Sequence, residues 1–104
     1  MTAGETEFDV FRAIADPSRR RIIAALAERP LAVHEISSLF PISRPAISKH
    51  LRLLGEAGLV EHRRRGKENV YALDPAPFAE LADWLGLYWS GRLQLLKRIA
   101  EGDS

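Results

Sequence analysis

The stretch Ser43–Gly58, SRPAISKHLRLLGEAG, constrains this chain more than any other. Ser43 has a hydroxyl able to accept a first-turn amide, which makes it an N-cap. Pro45 is tolerated in the first turn, where amides have no intrahelical partner. Ile47, Leu51 and Leu54 recur at i, i+4 and i+7 and form one apolar stripe. Gly58 stands where a helix ends in a left-handed residue. The spacing therefore predicts one helix with a buried stripe. Its other side carries Arg44, Pro45, Ser48, Lys49 and Arg52, with no acid before Glu56. Such a face suits the major groove of DNA: Arg and Lys reach phosphates and guanine edges, Ser bonds either, and the narrow start allows close approach.

Charge is distributed to match. The formal net charge is only +1, yet residues 43–67 hold seven basic and two acidic residues, a net of +5. The other residues hold eight basic and twelve acidic, a net of −4. One segment faces a polyanion while the remainder is mildly acidic.

Phe8, Phe11 and Ile14, with Val10 beside them, predict a short amphipathic helix over about 5–15. Asp16-Pro17 breaks it and caps a second helix reaching about Glu28, with Ile22, Ile23, Leu26 and Ala27 as its buried face. Arg19, Arg20 and Arg21 crowd the start of that helix and oppose its dipole. They call for solvent, for acids such as Glu5, Glu7 or Asp9, or for a phosphate. A third short helix, Val33 to Leu39, turns Ile36 and Leu39 inward, and Phe40-Pro41-Ile42 leads to Ser43. Two helices joined by a tight turn, the second basic, form a helix-turn-helix over about 33–57.

After Gly58 the period becomes that of strands. Leu59–Arg64 and Asn69–Leu73 flank the turn Arg65-Gly66-Lys67-Glu68, and Asp74-Pro75 ends the hairpin. A basic hairpin directly after a groove-reading helix is a wing, over about 59–73. Arg63, Arg64, Arg65 and Lys67 can reach backbone or minor groove from it. Charged edges also discourage strand pairing, an alternative reason for these arginines. Pro77 opens a last helix to about Glu101. Its apolar residues Phe78, Leu81, Leu85, Tyr88, Trp89, Leu93, Leu96 and Ile99, with Trp84 and Leu87 beside them, form a stripe wider than a small domain covers. With Phe8 and Phe11 they predict an association surface, and a two-fold dimer would set two groove-reading helices roughly 34–36 Å apart.

The chain thus reads as a single domain, mainly α with a small β-hairpin: a winged helix-turn-helix of five helices and a two-stranded wing. An apolar fraction of 46% and a charged fraction of 28% are those of a folded chain, and no apolar run suits a membrane. There is no cysteine, which removes disulfides and thiolate metal sites and fits the cytoplasm. His34, His50 and His62 lie on three elements without HxH or HxxxH spacing, so no metal or cofactor is expected. His50 suits a phosphate contact or a helix-packing bond, and His62 an exposed strand. Neither lies beside the nucleophile or carboxylate array that general acid–base catalysis needs, so the chain does not read as an enzyme.

The segments ADPSRR (15–20), SRPAISKHL (43–51), AGLV (57–60), Gly66 and Tyr71-Ala72-Leu73, in this order, resemble the ArsR/SmtB family of bacterial winged-helix repressors. The resemblance implies a homodimer through the first and last helices, binding to a near-palindromic DNA operator, and repression. It implies DNA contacts at Ser43, Ser48, Lys49 and His50 and at the wing residues Arg64, Arg65 and Lys67. Metal-sensing relatives carry a CxC-type motif near residues 31–36 or Asp/His pairs on the last helix. Here stand Ala32 and His34, and only Glu80 and Asp83. The chain therefore looks like the metal-independent branch. Two other uses of the scaffold are a small-molecule sensor with an aromatic pocket at Trp84, Tyr88 and Trp89, and a purely protein-binding module.

Overall fold

The computed structural model describes the backbone of residues 3–102 and the side chains of residues 9–86, 91–92 and 94–102. In chain order its elements are α1 (Ala3–Ile14), α2 (Pro17–Glu28), β1 (Leu31–Ala32), α3 (Val33–Leu39), α4 (Arg44–Glu56), β2 (Val60–Arg65), β3 (Glu68–Leu73) and α5 (Pro75–Ala100). The three strands form an antiparallel sheet in the order β1-β3-β2. The expected five helices and hairpin are present. β1 is an addition: Leu31 and Ala32, read as a lead-in to α3, pair with Tyr71 and Val70. Two residues carry too little pattern to be told from a loop. Only the partner strand, some forty residues on, defines them.

The core gathers one or two buried residues from each of α1, α2, β1, α3 and β2 around α4, with Tyr71 and Leu73 of β3 and Phe78 and Leu81 of α5 packed against it. Ile22, Leu31, Ile36, Ile47, Leu51, Leu54 and Leu59 are fully buried. The stripe predicted on α4 is therefore its centre. From α1 the buried residues are Val10 and Ala13, while Phe11 stays 37% exposed. Three inward assignments from helical spacing are corrected. Leu39 is 56% exposed, because α3 ends at it and Phe40 and Ile42 pack against the core instead. Ala27 is exposed and Ile23 only half-buried.

The helix ends follow from local chemistry. Ser43 Oγ accepts the Ala46 N–H at 3.3 Å at the start of α4. At its end Gly58 has φ +78°, the Gly58 N–H bonds the Gly55 carbonyl, and the Leu59 N–H reaches back to the Leu54 carbonyl. This pair of bonds is a Schellman closure, and it turns the chain straight into β2. α3 starts with half a capping box: Glu35 Oε1 accepts the Ala32 N–H at 3.0 Å, while Ala32 has no oxygen to return the bond. α5 begins two residues earlier than expected. Asp74 accepts the Ala76 N–H at 3.0 Å and Pro75 fills the first helical position.

Asp16 caps α2 by accepting the N–H groups of Ser18 at 2.7 Å and Arg19 at 3.2 Å. These donors, that of Arg19 foremost, hold its carboxyl below the ordinary value of 3.8. A folded pKa below the unfolded one contributes stability above the carboxylate range and loses it as pH falls through the folded value. Melting temperatures of the wild type and Asp16→Ala are therefore expected to differ at neutral pH and to converge toward about pH 2. A gap constant with pH would remove the charge from the cap's contribution.

Candidate nucleic-acid interface

The outer face of α4 is built by the same periodicity that buries Ile47. Arg44, Pro45, Ser48, Lys49 and Arg52 are all exposed. Among the described residues none of the three cations has an ion-pair partner, since the ion pairs present are Arg29–Glu35 and His34–Glu68. Their charge is uncommitted. Ser43 is exposed and its Oγ is spent on the cap, but an accepting hydroxyl keeps its own hydrogen to donate. His50 stands apart from this face. It is half-buried, and its Nδ1 is enclosed without a hydrogen-bond partner among the described residues.

The hairpin is joined by a two-residue turn, Gly66-Lys67, between the facing residues Arg65 and Glu68. Gly66 has φ +62° and Lys67 has a negative φ, the pattern of a type II′ hairpin turn. Register divides the basic residues. Val60, His62 and Arg64 face Leu73, Tyr71 and Asn69, and this is the side toward α4: Leu51, Arg52, Val60, His62 and Tyr71 line one cleft there. The His62 ring lies 5.1 Å from that of Tyr71. Glu61, Arg63 and Arg65 share the other face with Ala72, Val70 and Glu68. Sequence reasoning grouped the three arginines. The pleat sends Arg64 to the side of the groove-reading helix, and Arg63 and Arg65 to the opposite side. Arg64 Nε donates to the Gly66 carbonyl at 3.0 Å, which uses one of its five N–H groups.

Two of the three arginines at the start of α2 are committed to backbone carbonyls. Arg19 donates to the Ala13 carbonyl at 2.6 Å and the Arg12 carbonyl at 3.2 Å. Arg20 donates to Ile14 and Ala15 at 2.8 and 2.9 Å. Together they close the C-terminus of α1, where carbonyls have no intrahelical partner and cations complement the dipole. Arg21 is exposed and makes no such bond among the described residues.

The expected association surface is divided as well. Phe11, Leu85, Leu96 and Ile99 are exposed, as is Leu95, which the apolar spacing does not place on that stripe. Trp84 is half-buried and meets Phe11 edge-on at 5.5 Å. Leu81 packs against the protomer's own core. Phe8, Tyr88, Trp89 and Leu93 lie outside the described residues. No group of three or more His, Cys, Asp or Glu that could hold a metal occurs among the described residues. None of their helices is long and apolar enough to cross a membrane.

A helix-turn-helix with an uncommitted basic face and an adjoining basic hairpin can be compared with known proteins as a unit. Residues 16–62 match the family described as bacterial regulatory protein, arsR family. The HTH-type transcriptional regulator Rv2034 of Mycobacterium tuberculosis is 43% identical over 97 residues, which cover 89% of both chains. The chain belongs to the arsR family. It is a DNA-binding transcriptional regulator and not an enzyme, as the family is one of regulators. The transcriptional repressor SdpR of Bacillus subtilis is 34% identical over 77 residues, covering 74% of this chain and 86% of SdpR. The solution structure of the homodimeric winged helix-turn-helix DNA-binding domain Mb0332 from Mycobacterium bovis superposes with a TM-score of 0.69 at 27% identity, covering 86% of this chain and 83% of that one. The wing and the helix-turn-helix are thus those of an arsR-type regulator, and the protein-binding and pocket readings are not favoured.

Proposed function

We propose that this arsR-family chain is a homodimeric repressor that binds a near-palindromic operator, including one upstream of its own gene, without a sensory metal. Ser43, Arg44, Ser48, Lys49 and Arg52 enter the major groove, and Arg64 and Lys67 meet the flanking backbone. Arg63 and Arg65 contribute long-range potential from the far side of the wing. Phe11, Trp84, Leu85 and Leu96 lie against a second copy. The observation that carries the reading is the set of exposed cations on α4 and the wing, none of them paired among the described residues. The homodimeric relative supports the pairing and the named repressor supports the outcome. Lack of cysteine throughout the 104 residues supports metal independence.

The test is titration of the protein with a duplex from its own upstream region and with a scrambled duplex, at several salt concentrations, with and without zinc. Selective binding that weakens steeply with salt and ignores zinc is the expected result. Equal affinity for both duplexes would end the reading, and release by stoichiometric zinc would overturn its metal-independent part. Arg44→Ala is expected to relax preference at one base position by about 1–3 kcal/mol, because a bidentate arginine–guanine pair carries that much discrimination. A uniform loss over all sequences would make Arg44 a backbone contact.

A further inference from the structure

His34 and Glu68 meet across two elements that the sequence separates by more than thirty residues. His34 Nδ1 lies 2.8 Å from Glu68 Oε1, and both side chains are about half exposed (50% and 49%). His34 is in the first turn of α3, and Glu68 opens β3 immediately after the hairpin turn. The contact therefore grips the wing at its far end. The near end is held by buried Val60 and by the Asp74 N–H donating to the Leu59 carbonyl at 2.9 Å. Between these anchors residues 61–69 are exposed. Among the described residues, His34–Glu68 is the ion pair that joins the wing to the rest of the protein.

We propose that His34 and Glu68 are a positioning pair for operator binding, a proton-dependent strut that sets the wing against the helix-turn-helix. The proposal rests on the reading that the wing meets DNA. An imidazolium–carboxylate bond is charge-assisted and roughly twice as strong as a neutral one. When His34 loses its proton the bond weakens, and Glu68, without the imidazolium, offsets the positive charge of Lys67 beside it and Arg65 across from it. Both changes disfavour phosphate at the wing. The other charged groups around the pair are Glu35 of α3 and Arg29 before β1. These are bonded to each other at 3.0 Å, so neither substitutes for the missing partner. Operator affinity consequently falls as pH rises through the histidine range.

The experiment compares operator affinity between about pH 5.5 and 8 for the full chain, His34→Gln, Glu68→Gln and the double variant. Differences between the variants, not the absolute profiles, carry the result. The wild type is expected to lose roughly two- to fivefold more affinity over this interval than His34→Gln does, the range for an exposed ion pair. Glu68→Gln and the double variant should share the shallow profile of His34→Gln, whatever constant offset the lost acid gives. A wild-type profile in Glu68→Gln would make His34 an isolated cation, and one in His34→Gln would remove it altogether; either overturns the strut. Arg64→Ala/Lys67→Ala separates this failure from failure of the underlying reading. If that variant binds with unchanged affinity and salt slope, the wing does not meet the operator. If it binds weakly while His34→Gln keeps the wild-type profile, only the strut is lost.

Discussion

Lys49→Ala/Arg52→Ala is expected to abolish most operator affinity at low salt while leaving the fold intact. Both side chains are exposed on the outer face of α4 and have no ion-pair partner among the described residues, so folding loses nothing with them. Each neutralised phosphate releases counterions and contributes about 0.9 to the slope of log affinity against log salt. A dimer presents each residue twice, so the slope should fall by about four, with a loss of at least about a hundredfold at 50 mM salt. The loss should be nearly equal for operator and scrambled duplex, because phosphates carry no sequence. An unchanged slope would show that neither residue touches phosphate. Arg44→Ala is the complementary case, changing preference with less effect on slope.

Leu54→Ala should be the most damaging single truncation for stability. Leu54 is 0% exposed and lies at the C-terminal end of the α4 stripe, where its carbonyl also accepts the Leu59 N–H that closes the helix. Truncating a buried leucine costs about 2–5 kcal/mol through lost transfer energy and the cavity left behind. For a chain of this size that lowers the melting midpoint by roughly 10–30 °C. Leu39→Ala is the control. Helical spacing marks it as core, but it is 56% exposed, and its truncation should cost under about 0.5 kcal/mol. Urea midpoints of the two variants give the comparison. Similar losses at both positions would mean that Leu39 is covered in the assembled protein.

The contrast between these two leucines marks how far periodicity reaches. On α4, thirteen residues long, three apolar positions agree on one face, and the cap, the terminal glycine and the basic side all follow from the same register. α3 has seven residues, too few for a stripe to define its own direction, and Phe40 and Ile42 after its end take the place assigned to Leu39. The same limit hides β1, whose two residues become a strand only because β3 passes beside them. The arginines at the start of α2 show a different gap. A clash with their own helix dipole was legible, but its resolution lies in the open carbonyls of α1, which only the angle between the two helices brings within reach.

Local chemistry in the sequence was sufficient for the helices, their caps, the hairpin with its glycine turn and the basic character of residues 43–67. These depend on neighbours within a few positions, and short-range sterics and hydrogen bonding decide them. Tertiary structure alone decided which face of the wing lies toward α4, which carbonyls Arg19 and Arg20 reach, and that α3 meets β3 so that His34 joins Glu68. Those relations run between separate elements of the chain. They are set by the burial of Ile22, Ile36, Ile47, Leu51, Leu54 and Leu59 in one core, and no local pattern encodes the angles at which that core holds its helices and sheet.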